Sequence, residues 1–400
     1  MKRTVLITGL RAPVALHWCR LFAAAGWRVF GADSLRDPVG RFSRSIKGYL
    51  HLPPPRSEPD NFAKAITSAV EETDADLILP TCEEVLFLAR AALRPEAKGW
   101  AQRLFAPSLE DLITLHDKAA FNALLARVAP DFAPSFQNLE TGADAAALGE
   151  GPWVLKPRFS RFATSVLIKP DRATILRLPI SPEQPWLAQA YLPGEEICLS
   201  AVAVGGQILA LQAYEPLLRL RQGRGASVAF AASEDGVGSQ LRPMVEAVAK
   251  ALNVTGQLSF DLRRDAEGQW RALECNPRAT SGFHFFGPDD GLVEAVAEGR
   301  SALMARTRPT GEVLGEAVPA LLAGGIRGLS LCLGLMRSKA GASRRLRPLS
   351  AWPGDTISPL EQSRAFFELW LRSRAHRCSL EEASTLDICW NGPSDRSPLP

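Results

Sequence analysis

The sequence predicts an α/β and α+β protein: a parallel α/β layer at the N-terminus, a larger α+β region, and a small C-terminal appendage. Three observations carry this. The first hundred or so residues alternate short apolar runs with stretches of helical periodicity, which is the signature of strand–helix–strand units in a parallel sheet. From about residue 150 onward, strand-like runs follow one another across glycine turns, as antiparallel strands do. The chain has 400 residues, 46% of them hydrophobic, enough for two or three domains with sizeable cores.

In order along the chain, Val5–Thr8 reads as a buried strand closed by Gly9, Pro13–Ala25 as a helix, and Arg28–Ala32 as a second strand ending at Asp33. Asp33 suggests a dinucleotide ribose contact. The GxGxxG fingerprint is missing, however, because Gly9 is followed by Leu10, Arg11, Ala12 and Pro13. Tyr49–Pro59 is proline-rich and reads as a loop. Asn61–Glu72 is helix-like, Asp76–Pro80 a buried strand, Glu83–Leu93 a helix and Arg103–Ala106 a strand. Ser108 and Asp117 are capping residues, the second for the helix DKAAFNALLARV. Pro152–Pro157 is a strand with Lys156 near its end, followed by the loop RFSRFATS and a strand at Val166–Lys169. Trp186–Tyr191 and Ile197–Val204 are strands, and Gly205–Gly206 turns the chain into Gln207–Ala213. Arg219–Ser227 reads as a basic loop, either solvated or a lid facing an anion. Met244–Leu252 is helical.

Composition narrows the function classes. A formal net charge of +3 argues against a nucleic-acid binder driven by phosphate neutralisation. Seven scattered cysteines without CxxC spacing suit reduced thiols in a cytoplasmic protein. No signal peptide or membrane-length apolar run stands out, so no membrane partner is expected. The basic run Arg337, Lys339, Arg344, Arg345 and Arg347 reads as a solvated surface segment. The five histidines have no metal-like spacing.

The most informative stretch is Gly256–Gly282, GQLSFDLRRDAEGQWRALECNPRATSG. It reads as a hairpin turning at Asp265–Gly268. Antiparallel pairing brings Asp261 near Glu274, and Asn276 lies two residues on, on the same face as Glu274. Two carboxylates and an amide oxygen form a hard oxygen set of the kind Mg²⁺ takes, usually beside phosphate oxygens. A solvated acidic hairpin is the plain alternative. Arg278 lies just beyond, suited to a phosphate or carboxylate.

Together with Lys118 in LHDKAAF, Lys156 in WVLKP and the run QAYLPGEE, this hairpin gives the chain a resemblance to ATP-grasp proteins of the carboxylate–amine ligase type. Carbamoyl-phosphate synthase large subunits, biotin carboxylases and D-Ala-D-Ala ligases exemplify that type. The resemblance spans about residues 1–325 and rests on the order of the elements. It implies an ATP-grasp fold with a pre-domain at 1–107 and an ATP-grasp domain at 108–325. Within the latter, the ATP-binding part is at about 117–190 and the metal and substrate part at about 191–325. Residues 326–400 form an appendage that packs on the core or makes a homodimer.

By the same resemblance, Lys118 and Lys156 contact phosphates. Gln189 and the backbone of Ala190, Tyr191 and Leu192 receive adenine. Glu196, with Glu195 second, takes the ribose. Asp261, Glu274 and Asn276 hold Mg²⁺, or Mn²⁺ in its place. Arg278 and Lys156 are the catalytic residues. The residues themselves offer Arg224, Ser281 and His284 as candidate substrate contacts, with an ordinary loop histidine as the plain alternative for His284, while Phe283, Phe285 and Phe286 read as core or as an apolar wall near the pocket. The implied activity is an ADP-forming ligation. ATP activates a small-molecule carboxylate as an acyl phosphate, and an amine or similar nucleophile displaces phosphate. A kinase on the same scaffold and a non-catalytic nucleotide-binding protein are the alternatives. One departure stands out: the loop after Lys156, normally glycine-rich, is KPRFSRFATSV, without glycine.

In the appendage, Ser350–Pro359 reads as a loop and Leu360–Arg374 as a helix with Phe366, Phe367, Leu369, Trp370 and Leu371 on a broad apolar side. Leu331–Met336 fits strand or helix, Ser379 caps a short helix, Thr385–Trp390 reads as a strand, and the last residues as a free tail.

Overall fold

The computed structural model describes residues 2–160, 165–221, 224–233, 236–302, 312–316, 326, 329–330 and 345–392. Three sheets organise them.

The first is parallel, in the order β3-β2-β1-β4, from β1 (Thr4–Thr8), β2 (Arg28–Asp33), β3 (Gly48–His51) and β4 (Leu77–Leu79). All five residues of β1 are buried, as a central parallel strand covered on both faces requires. Helix Pro13–Ala24 starts with proline in its first turn, where the missing N–H costs nothing.

The second sheet is antiparallel, in the order β5-β8-β6-β7, from β5 (Phe136–Leu139), β6 (Trp153–Pro157), β7 (Leu167–Ile168) and β8 (Trp186–Ala190). The third has seven strands, in the order β13-β12-β9-β10-β11-β14-β15. They are β9 (Glu196–Val204), β10 (Gln207–Arg221), β11 (Arg224–Ala232), β12 (Gly256–Arg264), β13 (Trp270–Asn276), β14 (Glu312–Gly315) and β15 (Arg345–Pro348). One face of this sheet is covered by helices Lys118–Val128 and Val237–Ala251, through Phe121, Leu125, Met244 and Val248. The opposite face meets helix Pro13–Ala24, where Trp18 Nε1 donates to Gln257 Oε1 at 2.9 Å. The parallel layer is thereby fixed to the large sheet.

Five sequence expectations need correction. Tyr49–His51 belongs to β3, an edge strand of four residues whose ladder the following prolines hid. At Arg103–Ala106 there is only one bridge, Leu104 to Ile78. Tight 3₁₀ turns at Pro95–Gly99 and Ala101–Arg103 use up the approach, and Pro107 follows. Arg219–Ser227 is no loop: β10 and β11 run through it as a long hairpin, with bulges next to Pro216. Thr385–Trp390 is a turn, closed by Ile388 N–H to Thr385 O, and Trp390 then enters the core of the parallel layer.

The fifth concerns helix Pro359–His376, which buries none of its residues. Its aromatic side is exposed, Phe367 by 56% and Trp370 by 42%. The parts of the appendage that pack on the core are instead the segments on either side of it, through Ile357 and Asp355 before the helix and Trp390 after it. Leu331–Met336, Arg337, Lys339, Arg344 and the last eight residues lie outside the described residues. Among those described, no helix is long and apolar enough to cross a membrane, and the six cysteines are free.

Candidate nucleotide and metal site

A cavity of about 620 Å³ opens where the three sheets meet. The β12–β13 hairpin forms its floor. Asp265 builds the turn: its carboxylate accepts from the N–H groups of Glu267 and Gln269, and Gly268 adopts φ 80°, which glycine tolerates best. That turn sets the register in which Asp261 pairs directly with Glu274 and Ser259 with Asn276. Asp261, Glu274 and Asn276 all line the cavity.

The two carboxylates have different surroundings. Burial and the charges of Glu274 and Glu196 push Asp261 up to about 6. Burial alone would raise Glu274 as well, but Lys118 and Lys156 outweigh it and hold that carboxyl at about 2. Two opposed carboxylates, one of them strained by its neighbour's charge, with an amide oxygen alongside, fit a hard divalent cation. Among the described residues there is no cluster of three His, Cys, Asp or Glu side chains placed to hold a metal ion, so the amide oxygen of Asn276 would have to complete the set.

Both lysines reach this floor. Lys118, at the start of helix Lys118–Val128, is 5% exposed, and its ammonium lies 3.4 Å from Glu274 Oε2 and 2.9 Å from Ser160 O. Asp117 caps that helix through Ala119 N–H. Lys156, on β6, donates to Gln189 Oε1 at 2.9 Å and to Leu273 O at 3.0 Å, bridging the second sheet to the hairpin. Burial, with the nearby Lys118 charge, lowers its ammonium to about 8. Gln189 in turn donates to Asn122 Oδ1 at 3.1 Å, and Asn122 donates to Lys118 O at 2.7 Å. The Gln189 side chain is therefore committed to holding Lys156.

At the hinge, Ala190, Tyr191 and Leu192 line the cavity beside Val154 and Ile168. The N–H groups of Ala190 and Tyr191 are taken by Ser135 O and Pro152 O. The Leu192 N–H has no hydrogen-bond partner among the described residues. Glu196 lines the cavity and is ion-paired with Arg219 of β10. The Glu195 side chain is 85% exposed and does not line it.

Arg278 lines the cavity, and its guanidinium donates to Asn276 Oδ1, at 3.2 Å, and Ala279 O, at 3.3 Å, with no salt bridge among the described residues. Ser281 and His284 also line the cavity. His284 is buried against His17, ring centroids 5.0 Å apart. Arg224 begins β11, and its side chain lies outside the described residues. Phe283, Phe285 and Phe286 are fully buried core residues and do not line the cavity, so of their two readings the structure gives the core and not the wall. The glycine-free loop is described at Arg158–Ser160 and from Ser165; Arg161 and Thr164 lie outside the described residues. Arg158 is turned away, paired with Asp117 and Glu140.

Several lining residues went unread in the sequence: Arg11, Cys82, Glu83, His116, Glu316, and Ser384, Thr385 and Ile388 from the appendage. Arg11 and Cys82 follow the ends of β1 and β4, and ligand clefts in parallel sheets lie at such carboxyl ends. No local signal marks the appendage residues, which arrive from far along the chain.

No protein-family model and no curated protein matches the chain. Solved structures do resemble it. An L-amino acid ligase from Bacillus licheniformis aligns with a TM-score of 0.56 at 15% identity, over 76% of this chain and 75% of that one. Phosphoribosylamine–glycine ligase from Thermotoga maritima gives 0.57 at 17% identity, over 77% and 78%. N5-carboxyaminoimidazole synthetase from Staphylococcus aureus, complexed with ADP, gives 0.56 at 15% identity, over 74% and 78%. These are ATP-grasp structures, and the chain has the ATP-grasp fold.

Proposed function

We propose that this ATP-grasp chain is an ADP-forming ligase that activates a small-molecule carboxylate and joins it to an amine or similar nucleophile. The observation that carries the reading is the shared cavity. Lys118 and Lys156 lie against the carboxylate floor of Asp261 and Glu274, and Lys156 is tied to the carbonyl of Leu273, next to Glu274. The fold likeness to ligases and to an ADP complex supports the same class.

In this reading adenine lies between Val154, Ile168 and the Ala190–Leu192 hinge, with the Leu192 N–H donating to a ring nitrogen. Glu196, fixed by Arg219, accepts from the ribose. Lys118 and Lys156 hold the phosphates as point charges. Asp261, Glu274 and Asn276 would hold Mg²⁺, which supplies charge neutralisation at the transferring phosphoryl group. Arg278, without a carboxylate partner of its own, orients the substrate carboxylate for attack on the γ-phosphate. The amine then attacks the acyl carbon of the acyl phosphate so formed, the C–N bond forms as the C–O bond to phosphate breaks, inorganic phosphate leaves, and no covalent group on the protein is needed. The free cysteines suit a cytoplasmic enzyme.

The test is ADP release with Mg²⁺ across a panel of carboxylic acids and amines, with products read by mass spectrometry. An ADP-coupled amide supports the ligase. A stable phosphorylated product identifies a kinase. MgATP binding with no ADP from any pair leaves only a nucleotide-binding protein.

A further inference from the structure

The appendage contributes to the cavity through a segment that no part of the nucleotide reading uses. Ser384, Thr385 and Ile388 line it. Asp387 anchors them: its carboxylate accepts from Arg11 Nη1 at 2.7 Å, from Ser34 Oγ at 2.5 Å and from Arg372 Nη2 at 2.9 Å. Arg11, itself a lining residue, also donates to Ser384 O at 2.9 Å and pairs with Asp33. Two residues on, Cys389 Sγ accepts from Arg56. Trp390 is 2% exposed against Phe87, and its carbonyl lies 3.2 Å from His116 Nε2. Gly392 ends the path on the ring of Phe159, in the loop that follows Lys156. A Cβ there would lie 2.5 Å from Phe159 Cε2, and φ is 92°. One continuous segment thus joins the ends of the parallel strands to the loop beside Lys118 and Lys156.

We propose that residues 384–392 are a working wall of the nucleotide site. Asp387 and Gly392 are its positioning residues, holding the cavity and the Phe159–Ser160 turn in shape from outside. Phe159 and Ser160 lack the backbone freedom a glycine would give, and the surface of Gly392 packed on Phe159 constrains them instead. Ser160 O, which receives the Lys118 ammonium, sits next to the ring that Gly392 supports. The inference rests on the ATP reading of the cavity.

The first measurement is hydrogen–deuterium exchange of the full-length wild-type protein with and without MgADP. The expected result is slower exchange over 384–392 when nucleotide is bound. MgADP binding that leaves this segment unchanged overturns the inference and spares the ATP reading. No MgADP binding at all overturns both. The second measurement is MgADP affinity by calorimetry for Asp387→Asn, Asp387→Glu and Gly392→Ala, beside the melting temperature of each apoprotein. Asp387→Asn and Gly392→Ala are expected to weaken binding by about tenfold while melting within a few degrees of wild type, and Asp387→Glu to recover most of the affinity. Wild-type affinity in both weakened variants overturns the inference. If a variant does not fold, the exchange experiment decides alone.

Discussion

Asp261 and Glu274 stand directly opposite each other across the β12–β13 ladder, and the two carboxyls are displaced in opposite directions, to about 6 and about 2. Asp261 has Cys198 as its partner on the other side, in β9, and the charge of Arg219 does not outweigh burial and the charges of Glu274 and Glu196. Glu274 has both lysines. A cation drawn to the pair would relieve Asp261 and let the lysines turn to phosphate. In the proposed function, the charges of the hairpin would be balanced by a metal and a polyanion together.

Glu274→Gln keeps the shape and removes one charge. Magnesium-dependent ADP formation is expected to fall by about 100-fold or more. The far-ultraviolet circular dichroism spectrum should be unchanged, because the side chain faces a cavity and not the core. Wild-type turnover in this variant would remove Glu274 from the site.

Lys156 gives a pH signature. Burial, then Lys118, brings its ammonium down to about 8. A phosphate needs the charged form, so affinity is retained below this value and lost above it. The dissociation constant of MgADP is expected to rise by up to about tenfold per pH unit above 8. Lys156→Arg should flatten the profile, since a guanidinium stays charged throughout. A flat wild-type profile from pH 7 to 9.5 would show that Lys156 does not act as a phosphate cation.

Much of this arrangement was legible locally. The parallel layer announced itself through β1 and helix Pro13–Ala24, and the hairpin through alternation and its Asp265–Gly268 turn, because both are short-range patterns. The β10–β11 hairpin was misread because arginines and glycines imitate a loop, although Leu218 and Leu220 alternate with Arg219 and Arg221. Asp33 was weighed as a ribose ligand, whereas it holds Arg11, a role set by Asp387 more than 350 residues away. Gln189 lines the cavity, but its hold on Lys156 and Asn122 has no local signal, since only the fold brings Asn122 to its other end. Contacts between distant segments leave no periodicity to read.

Glu84 predicts a stability effect of defined sign. Its carboxyl is buried. Oε1 accepts from Thr8, Thr81 and Cys82, while Oε2 has no partner. Burial raises its pKa, and the charge of Asp33 adds to this. A carboxyl raised on folding contributes stability that is complete below its unfolded value, about 4.3, and is lost as pH rises through the folded value. Glu84→Gln keeps the accepting oxygen and cannot ionise. Its urea midpoint relative to wild type should therefore improve from pH 4.5 to pH 8. A constant difference between the two proteins across that range would mean that the carboxyl does not pay for its burial.

Two tryptophans of the appendage offer the last contrast. Trp370, on helix Pro359–His376, is 42% exposed and stacks on Phe367, also exposed. Trp390 is 2% exposed among Phe87, Leu86 and Leu112. Removing a buried indole costs about 3–5 kcal/mol, through lost transfer energy and the cavity left behind. An exposed ring costs under about 1 kcal/mol. Trp390→Ala is therefore expected to lower the unfolding midpoint sharply and Trp370→Ala hardly at all, read by urea titration of the full-length protein. Equal losses would mean that helix Pro359–His376 is covered in solution. Equal indifference would mean that Trp390 is not seated in the parallel layer.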